Sequence, residues 1–211
     1  MRAQRLMTCV AVLFAVLASD TAWCDTIGSL NLNFETTAAG TTTYSTTAND
    51  VMVPGTYNYA HSVVYTPGNV AGTSYGFYDD YIFSIGSGQV DSITSTIDLA
   101  GLVGINGLQV RLFNVPDASS PGTTGYPGSS LIQAWSSSMS CGSGCTGTVA
   151  VINPQVLNAG TYDLQIRGTA ESYGGSFAGV LNAAPVPLPA AFTLLLSGVG
   201  LLGAMRRRGQ L

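Results

Sequence analysis

Between residues 30 and 184 the chain repeatedly alternates apolar and polar side chains with a period of two. The pattern is clearest in 161–168, where Tyr162, Leu164 and Ile166 alternate with Asp163, Gln165 and Arg167. Successive side chains of an extended strand point to opposite faces, so such a segment packs one face and leaves the other wet. The same reading places Phe77, Asp79, Tyr81, Phe83 and Ile85 on one face of 77–85. It places Leu108, Val110 and Leu112 on one side of a later run, with Arg111 pointing the other way. Leu30, Leu32 and Phe34 alternate in 30–34, and Ile93, Ile97 and Leu99 line one side of 90–99. Segments 56–66, 131–136, 148–152 and 176–181 complete the strand set. Pro54-Gly55, Pro67-Gly68, Asn106-Gly107, Pro121-Gly122 and Pro127-Gly128 supply turns between them. Segments 36–49 and 116–130 read as exposed loops from their Thr-, Ser-, Pro- and Gly-rich composition. Many short strands separated by turns predict an all-β chain, with one antiparallel β-sandwich or jelly-roll-like domain over residues 25–184.

The two ends differ from this body. Arg2 and Arg5 precede the apolar stretch 6–18, a basic region followed by a core of signal-peptide length. Residues 1–24 are therefore expected to be a signal peptide. At the other end, Val186, Pro187, Leu188 and Pro189 lead into the apolar run 190–205, which stops at Arg206, Arg207 and Arg208. As a helix this run would be roughly 24 Å long, against a hydrocarbon core of about 30 Å. Arginines beside the end of an apolar helix hold it on the cytoplasmic side, because moving them through lipid is costly. The run shows no polar stripe of the kind a packed surface helix carries. Its length and its basic stop suit a transmembrane sorting helix held in the membrane transiently.

The succession Val186, Pro187, Leu188, Pro189, Ala190 and Ala191, then the apolar helix, then the arginines resembles the tail of PEP-CTERM proteins of Gram-negative bacteria. Leu188 stands where the commonest motif has Glu, as in the V-P-L-P-A form of the tail. Within the body, Phe77-Tyr78-Asp79-Asp80-Tyr81-Ile82-Phe83 resembles the F-x-D-x-F signature of one PEP-CTERM subfamily. Phe77 and Asp79 match it, and Tyr81 replaces the usual Phe. The resemblance implies an exosortase-type processing enzyme as partner, residues 185–211 as a transient membrane anchor, and secretion through the inner membrane. It further implies a cell-surface or extracellular-matrix location, and it carries no catalytic residues with it.

Charge narrows the function independently. Residues 25–189 hold ten carboxylates against two arginines, Arg111 and Arg167, and the chain has no lysine. A body near −8 repels phosphate backbones, which excludes nucleic acid as a partner. Cys141 and Cys145, separated by Gly-Ser-Gly, are expected to form a local disulfide in an oxidising compartment. A metal reading of that pair lacks ligands, since the single His61 cannot complete a four-ligand zinc site with it. No metal or other cofactor is expected, and His61 reads as a half-exposed strand residue with no nucleophile motif to serve.

Asp79 and Asp80, adjacent on a strand, point to opposite faces and cannot by themselves form a glycosidase pair, although either could meet another acid in the fold. The inward one is expected to accept backbone or Tyr hydrogen bonds, with a calcium site on loop carbonyls as the weaker alternative. Trp135 is expected in the core, while Tyr57, Tyr59, Tyr65, Tyr75, Tyr78, Tyr126 and Tyr173 are the aromatics from which a sugar-stacking surface could be drawn. These readings converge on a non-enzymatic secreted protein of the surface or exopolysaccharide matrix. The alternative is a carbohydrate-binding or adhesive module for extracellular polysaccharide.

Overall fold

The alternating runs pair into two sheets that face one another across a shared apolar interior. A computed structural model describes residues 26–64, 74–96, 104–115, 130–140, 147–171 and 173–185. The expected signal peptide, the sorting tail from Val186 through Arg208, and both Cys141 and Cys145 lie outside the described residues. The described strands are β1 (Thr26–Ser29), β2 (Phe34–Thr37), β3 (Gly40–Thr43), β4 (Asn49–Met52), β5 (Gly55–Val63), β6 (Tyr75–Ile85) and β7 (Gly88–Thr96). They continue with β8 (Ile105–Asn114), β9 (Ser130–Gln133), β10 (Met139–Ser140), β11 (Thr148–Leu157), β12 (Gly160–Ala170) and β13 (Gly175–Ala184).

The first sheet runs β1-β5-β13-β7-β11-β10, and the second runs β3-β2-β6-β12-β8-β9 with β4 also on β6. Pairing is antiparallel except for β1 with β5 and β4 with β6. Val90, Ile152, Phe177 and Leu181 from the first sheet meet Phe77, Tyr81, Phe83, Leu112, Leu164 and Ile166 from the second in one buried cluster. The described residues form an all-β, two-sheet sandwich, in which inner faces interdigitate and bury apolar surface.

Several expected strands keep their expected faces. Phe77, Asp79, Tyr81, Phe83 and Ile85 all point inward from β6, and Leu108, Val110 and Leu112 from β8. Four readings need correction. Residues 30–33 are not a strand but the crossing between sheets, from β1 to β2. Buried Asn33 fastens that crossing: its amide donates to the Ser45 and Thr47 carbonyls, and its Oδ1 accepts from the Ile82 N–H. Residues 36–49 are only partly loop, because β2 and β3 form a hairpin there.

In β7 the face is inverted. Ser92, Thr94 and Thr96 point inward with Val90, while Ile93 is 50% exposed. The cause is Tyr59 on β5, whose hydroxyl is buried between the sheets and shares hydrogen bonds with Ser92 (2.6 Å) and Thr94. A buried hydroxyl left unpaired costs about 1–3 kcal/mol, more than exposing one isoleucine face. Finally, the outer side of β12 is not wet, since Asp163 and Gln165 are fully buried.

Gly179 on β13 makes room for Tyr59: a β-carbon there would overlap the ring and its hydroxyl and come within 2.6 Å of the Ile93 carbonyl oxygen. Gly179→Ala should therefore destabilise the sandwich by about 1–3 kcal/mol, the usual cost of overpacking. Equilibrium urea unfolding measures it, and Ala178→Ser, an exposed change on the same strand, should leave stability within about 0.5 kcal/mol.

Candidate functional site

The central strand β6 is flanked by different polar chemistry on its two sides. On the inner side, Asp79 receives a hydrogen bond from His61 Nδ1 at 2.8 Å, an ion pair that joins β6 of the second sheet to β5 of the first. Glu35 of β2 lies directly opposite Asp79 in the β2–β6 register. One donor atom from each of Glu35, His61 and Asp79 falls within 4.8 Å of the others. The Tyr44 hydroxyl donates to Glu35 Oε2 at 2.9 Å, and its ring packs edge-on against the imidazole, 5.7 Å away. Burial works against a charged His61, yet the Asp79 hydrogen bond and the charges of Asp79 and Glu35 lift its pKa above the ordinary value. Burial pushes Asp79 up to about 6 despite the imidazole beside it. Tyr44 is pushed up to about 12, by burial and by the Glu35 hydrogen bond.

On the outer side a second buried layer crosses three strands. Gln165 of β12 donates to Asp80 Oδ1 at 2.6 Å and accepts from Arg111 Nε of β8 at 2.7 Å. Asp163 sits diagonally from Asp80, and both carboxyls are fully buried. Neither Asp163 oxygen nor Asp80 Oδ2 accepts a well-aligned hydrogen bond from a fixed donor, and the Tyr81 N–H approaches Asp163 without full alignment. Their burial and mutual repulsion favour the uncharged carboxyl over the carboxylate at this pair. Two carboxyls so close cannot both ionise cheaply. Burial and the charge of Asp163 push Asp80 well above the carboxylate range; burial raises Asp163 to about 7 against the pull of Asp80's hydrogen bond and of Arg111.

The outer layer ends at the surface in an aromatic and cationic group. The Arg111 guanidinium stacks on Phe113 (4.4 Å) and on Trp135 (4.2 Å), and Arg167 stacks on Trp135 at 4.1 Å. Arg167 also donates twice to Gln109 Oε1, at 2.9 and 2.6 Å. Tyr78 leans on the indole with centroids 6.1 Å apart. Beside them an open cleft of about 300 Å³ is lined by Tyr78, Gln109 and Arg167 among others. Both arginines of the acidic body thus converge on one tryptophan.

Trp135 belongs to this outer group and not to the core, contrary to expectation; it is only half-buried. The resemblance-derived residues divide differently. Phe77 stacks on Phe177 (6.0 Å), Tyr81 tilts against Tyr59 (5.2 Å) and Phe83 stacks on Tyr162 (6.0 Å), so three of the four are packing residues. Asp79 pairs with His61 instead of with backbone or tyrosine, and the Tyr81 hydroxyl has no partner. Asp79 and Asp80 do face opposite ways, and each meets another acid: Glu35 on one side, Asp163 on the other. Reading along the chain allowed such meetings but did not name the partners, because Glu35 and Asp163 reach them through neighbouring strands. Tyr59, expected among the surface candidates, is a core residue, whereas Tyr173 is 62% exposed at the β12–β13 turn.

No protein-family model matches the chain, and no curated protein matches it either. Among solved structures it is similar to carbohydrate-binding modules from the β-sandwich superfamily, described for promiscuous specificity. That similarity has 11% identity, 74% coverage of each chain and a TM-score of 0.30, and bears on neither ligand nor site.

The carboxyl pair sets the direction of a pH effect. Both folded-state pKa values lie above the unfolded value of about 3.8, so the native state binds more protons and stability falls as pH rises from about 4 through about 7. Thermal melts across that range should show a falling melting temperature. Asp163→Asn, which removes the ionisation and brings its own N–H, should flatten the decline and gain about 1–3 kcal/mol at pH 8 relative to its effect at pH 5.

Proposed function

We propose that this chain is a secreted, non-catalytic β-sandwich module of the cell surface or exopolysaccharide matrix that holds polysaccharide on the outer face of its second sheet. The observation that carries the reading is the convergence of Arg111, Arg167 and Tyr78 on half-exposed Trp135, beside an open cleft. An indole or phenol ring offers an apolar face with a polar rim, which suits the alternating apolar and hydroxylated surfaces of a sugar ring. The guanidinium and amide groups of Arg167 and Gln109 supply directional donors and acceptors around it. Their mutual hydrogen bonds hold these side chains in place before a ligand arrives, which lowers the entropy lost on binding. The absence of lysine and the net negative charge of the body fit a protein that avoids nucleic acid and anionic lipid.

Delivery belongs to the tail. Residues 186–191, the apolar run 190–205 and Arg206–Arg208 act as the sorting signal for an exosortase-type enzyme, which receives the chain while the helix is held in the membrane. The acidic body stays on the far side, because the arginines do not cross.

Two measurements test the halves separately. Retention of the full chain on the native exopolysaccharide should be saturable and should weaken about tenfold or more in Trp135→Ala and in Tyr78→Ala, a loss within the range of a single aromatic contact. Tyr173→Ala, exposed on a different turn, should leave it unchanged. For the tail, C-terminal mass mapping of the surface fraction should find chains ending before Arg206. Deletion of 186–211 should move the protein out of that fraction. Full-length chains in the surface fraction would refute the sorting half alone, and retention indifferent to both aromatic changes would refute the binding half alone.

A further inference from the structure

On the inner side of β6, the structure carries a feature that the polysaccharide reading does not use. We propose that Glu35, His61 and Asp79 bind one divalent transition-metal ion of the zinc class, tying the two sheets together. The three side chains come from β2, β5 and β6, and one donor atom from each already lies within 4.8 Å of the other two. An imidazole nitrogen with two carboxylate oxygens is a zinc-type donor set, usually completed by water in the fourth position. The imidazole disfavours calcium, which takes six to eight oxygens.

Three observations make this more than a cluster of acids. Glu35 and Asp79 stand directly opposite on adjacent strands, a like-charged pair that destabilises a sheet unless something positive lies between them. His61 offers at most one positive charge to the two carboxylates, and the body's two arginines sit on the other face of the second sheet. Asp79 is fully buried, yet its Oδ1 has no hydrogen-bond partner, as an unspent lone pair beside the cluster. The hydroxyl of Tyr81, buried and partnerless, adds to the polar surplus on this side of the strand.

The fit requires the three donors, now within 4.8 Å of one another, to settle at tetrahedral spacing. A tetrahedral ion at about 2.0–2.1 Å from each donor holds the donors about 3.3 Å apart. The His61 Nδ1 to Asp79 Oδ2 spacing of 2.8 Å would open by about half an ångström to admit it. Glu35 and His61 are only partly buried, so an ion has a path from solvent, while Asp79 anchors the inner end. The Tyr44 hydroxyl, which donates to Glu35 Oε2, fixes that carboxylate and is the outer-shell contact such ligands commonly carry.

The test uses the full chain in detergent, purified without a histidine tag and stripped with EDTA, and titrated with Zn²⁺ and with Co²⁺. The expected result is one Zn²⁺ per chain, a melting temperature raised by about 5–10 °C at a hundredfold excess over Kd, and a Co²⁺ spectrum of nitrogen and oxygen ligation without thiolate bands. His61→Gln and Glu35→Gln should each weaken zinc affinity by more than about tenfold. Glu35 is on a short strand at the sheet margin, so Glu35→Gln decides the matter even if His61→Gln folds poorly. Absence of stoichiometric zinc would overturn the proposal. So would unchanged affinity in Glu35→Gln, or zinc binding that vanishes in Cys141→Ser with Cys145→Ser and shows thiolate bands with Co²⁺.

Discussion

The ladder between β6 and β12 is the constraint on which the rest of the molecule depends. It pairs residue for residue from Tyr75 with Ala170 to Ile85 with Gly160. Because side chains alternate across a strand, that single register decides both faces of the second sheet at once. A one-residue slip of β12 against β6 would turn Asp163 and Gln165 into the apolar interior and bring Leu164 and Ile166 out. The penalty on both faces acts in the same direction, so the register is strongly specified. The inner face fills the sandwich with aromatic and aliphatic side chains, and the outer face assembles the buried hydrogen-bonded row from Asp80 through Gln165 to Arg111.

Much of this was legible along the chain, and what was not has a common physical cause. The inward faces of β6, β8 and β12 follow from their own alternation, since each carries enough large apolar side chains to declare which face is buried. β7 does not, because Ile93 is outweighed by a need that arises elsewhere: the Tyr59 hydroxyl on β5 requires Ser92 and Thr94. The burial of Asp163 and Gln165 was hidden for the same reason. Their polarity announces a wet face, and only the partners on β6 and β8, separated by many tens of residues, make that face dry. The site residues show the limit most sharply. That Asp79 and Asp80 diverge is a local fact readable from spacing, but which acid each one meets is decided by strand pairing and by packing between sheets.

The two polar centres differ in how they settle the same problem. Asp80 and Asp163 are fully enclosed, so burial and mutual repulsion push both carboxyls toward the protonated form, and Gln165 holds Asp80 from one side. Asp79 and Glu35 lie at the margin of the sandwich, where His61, Tyr44 and solvent are within reach. A proton suffices in a closed site because nothing else can enter it. At an open margin the compensating charge can instead be an exchangeable ion, and the cation would then add a polar link between two sheets that aromatic packing and the His61–Asp79 contact already join here.

That division also bears on where the cationic and aromatic side chains gather. An acidic body with two arginines has little cationic capacity, and it places both guanidiniums on one indole instead of distributing them over the surface. Stacked guanidiniums keep their in-plane donors available while their faces are desolvated by the ring, so Trp135 is held rigid by charges that would otherwise be solvated independently. The support comes from below: Arg111 is held by Gln165, Gln165 by Asp80, and Asp80 by the β6–β12 register. The buried row from Asp80 through Gln165 therefore ends at the guanidinium that stacks on the indole.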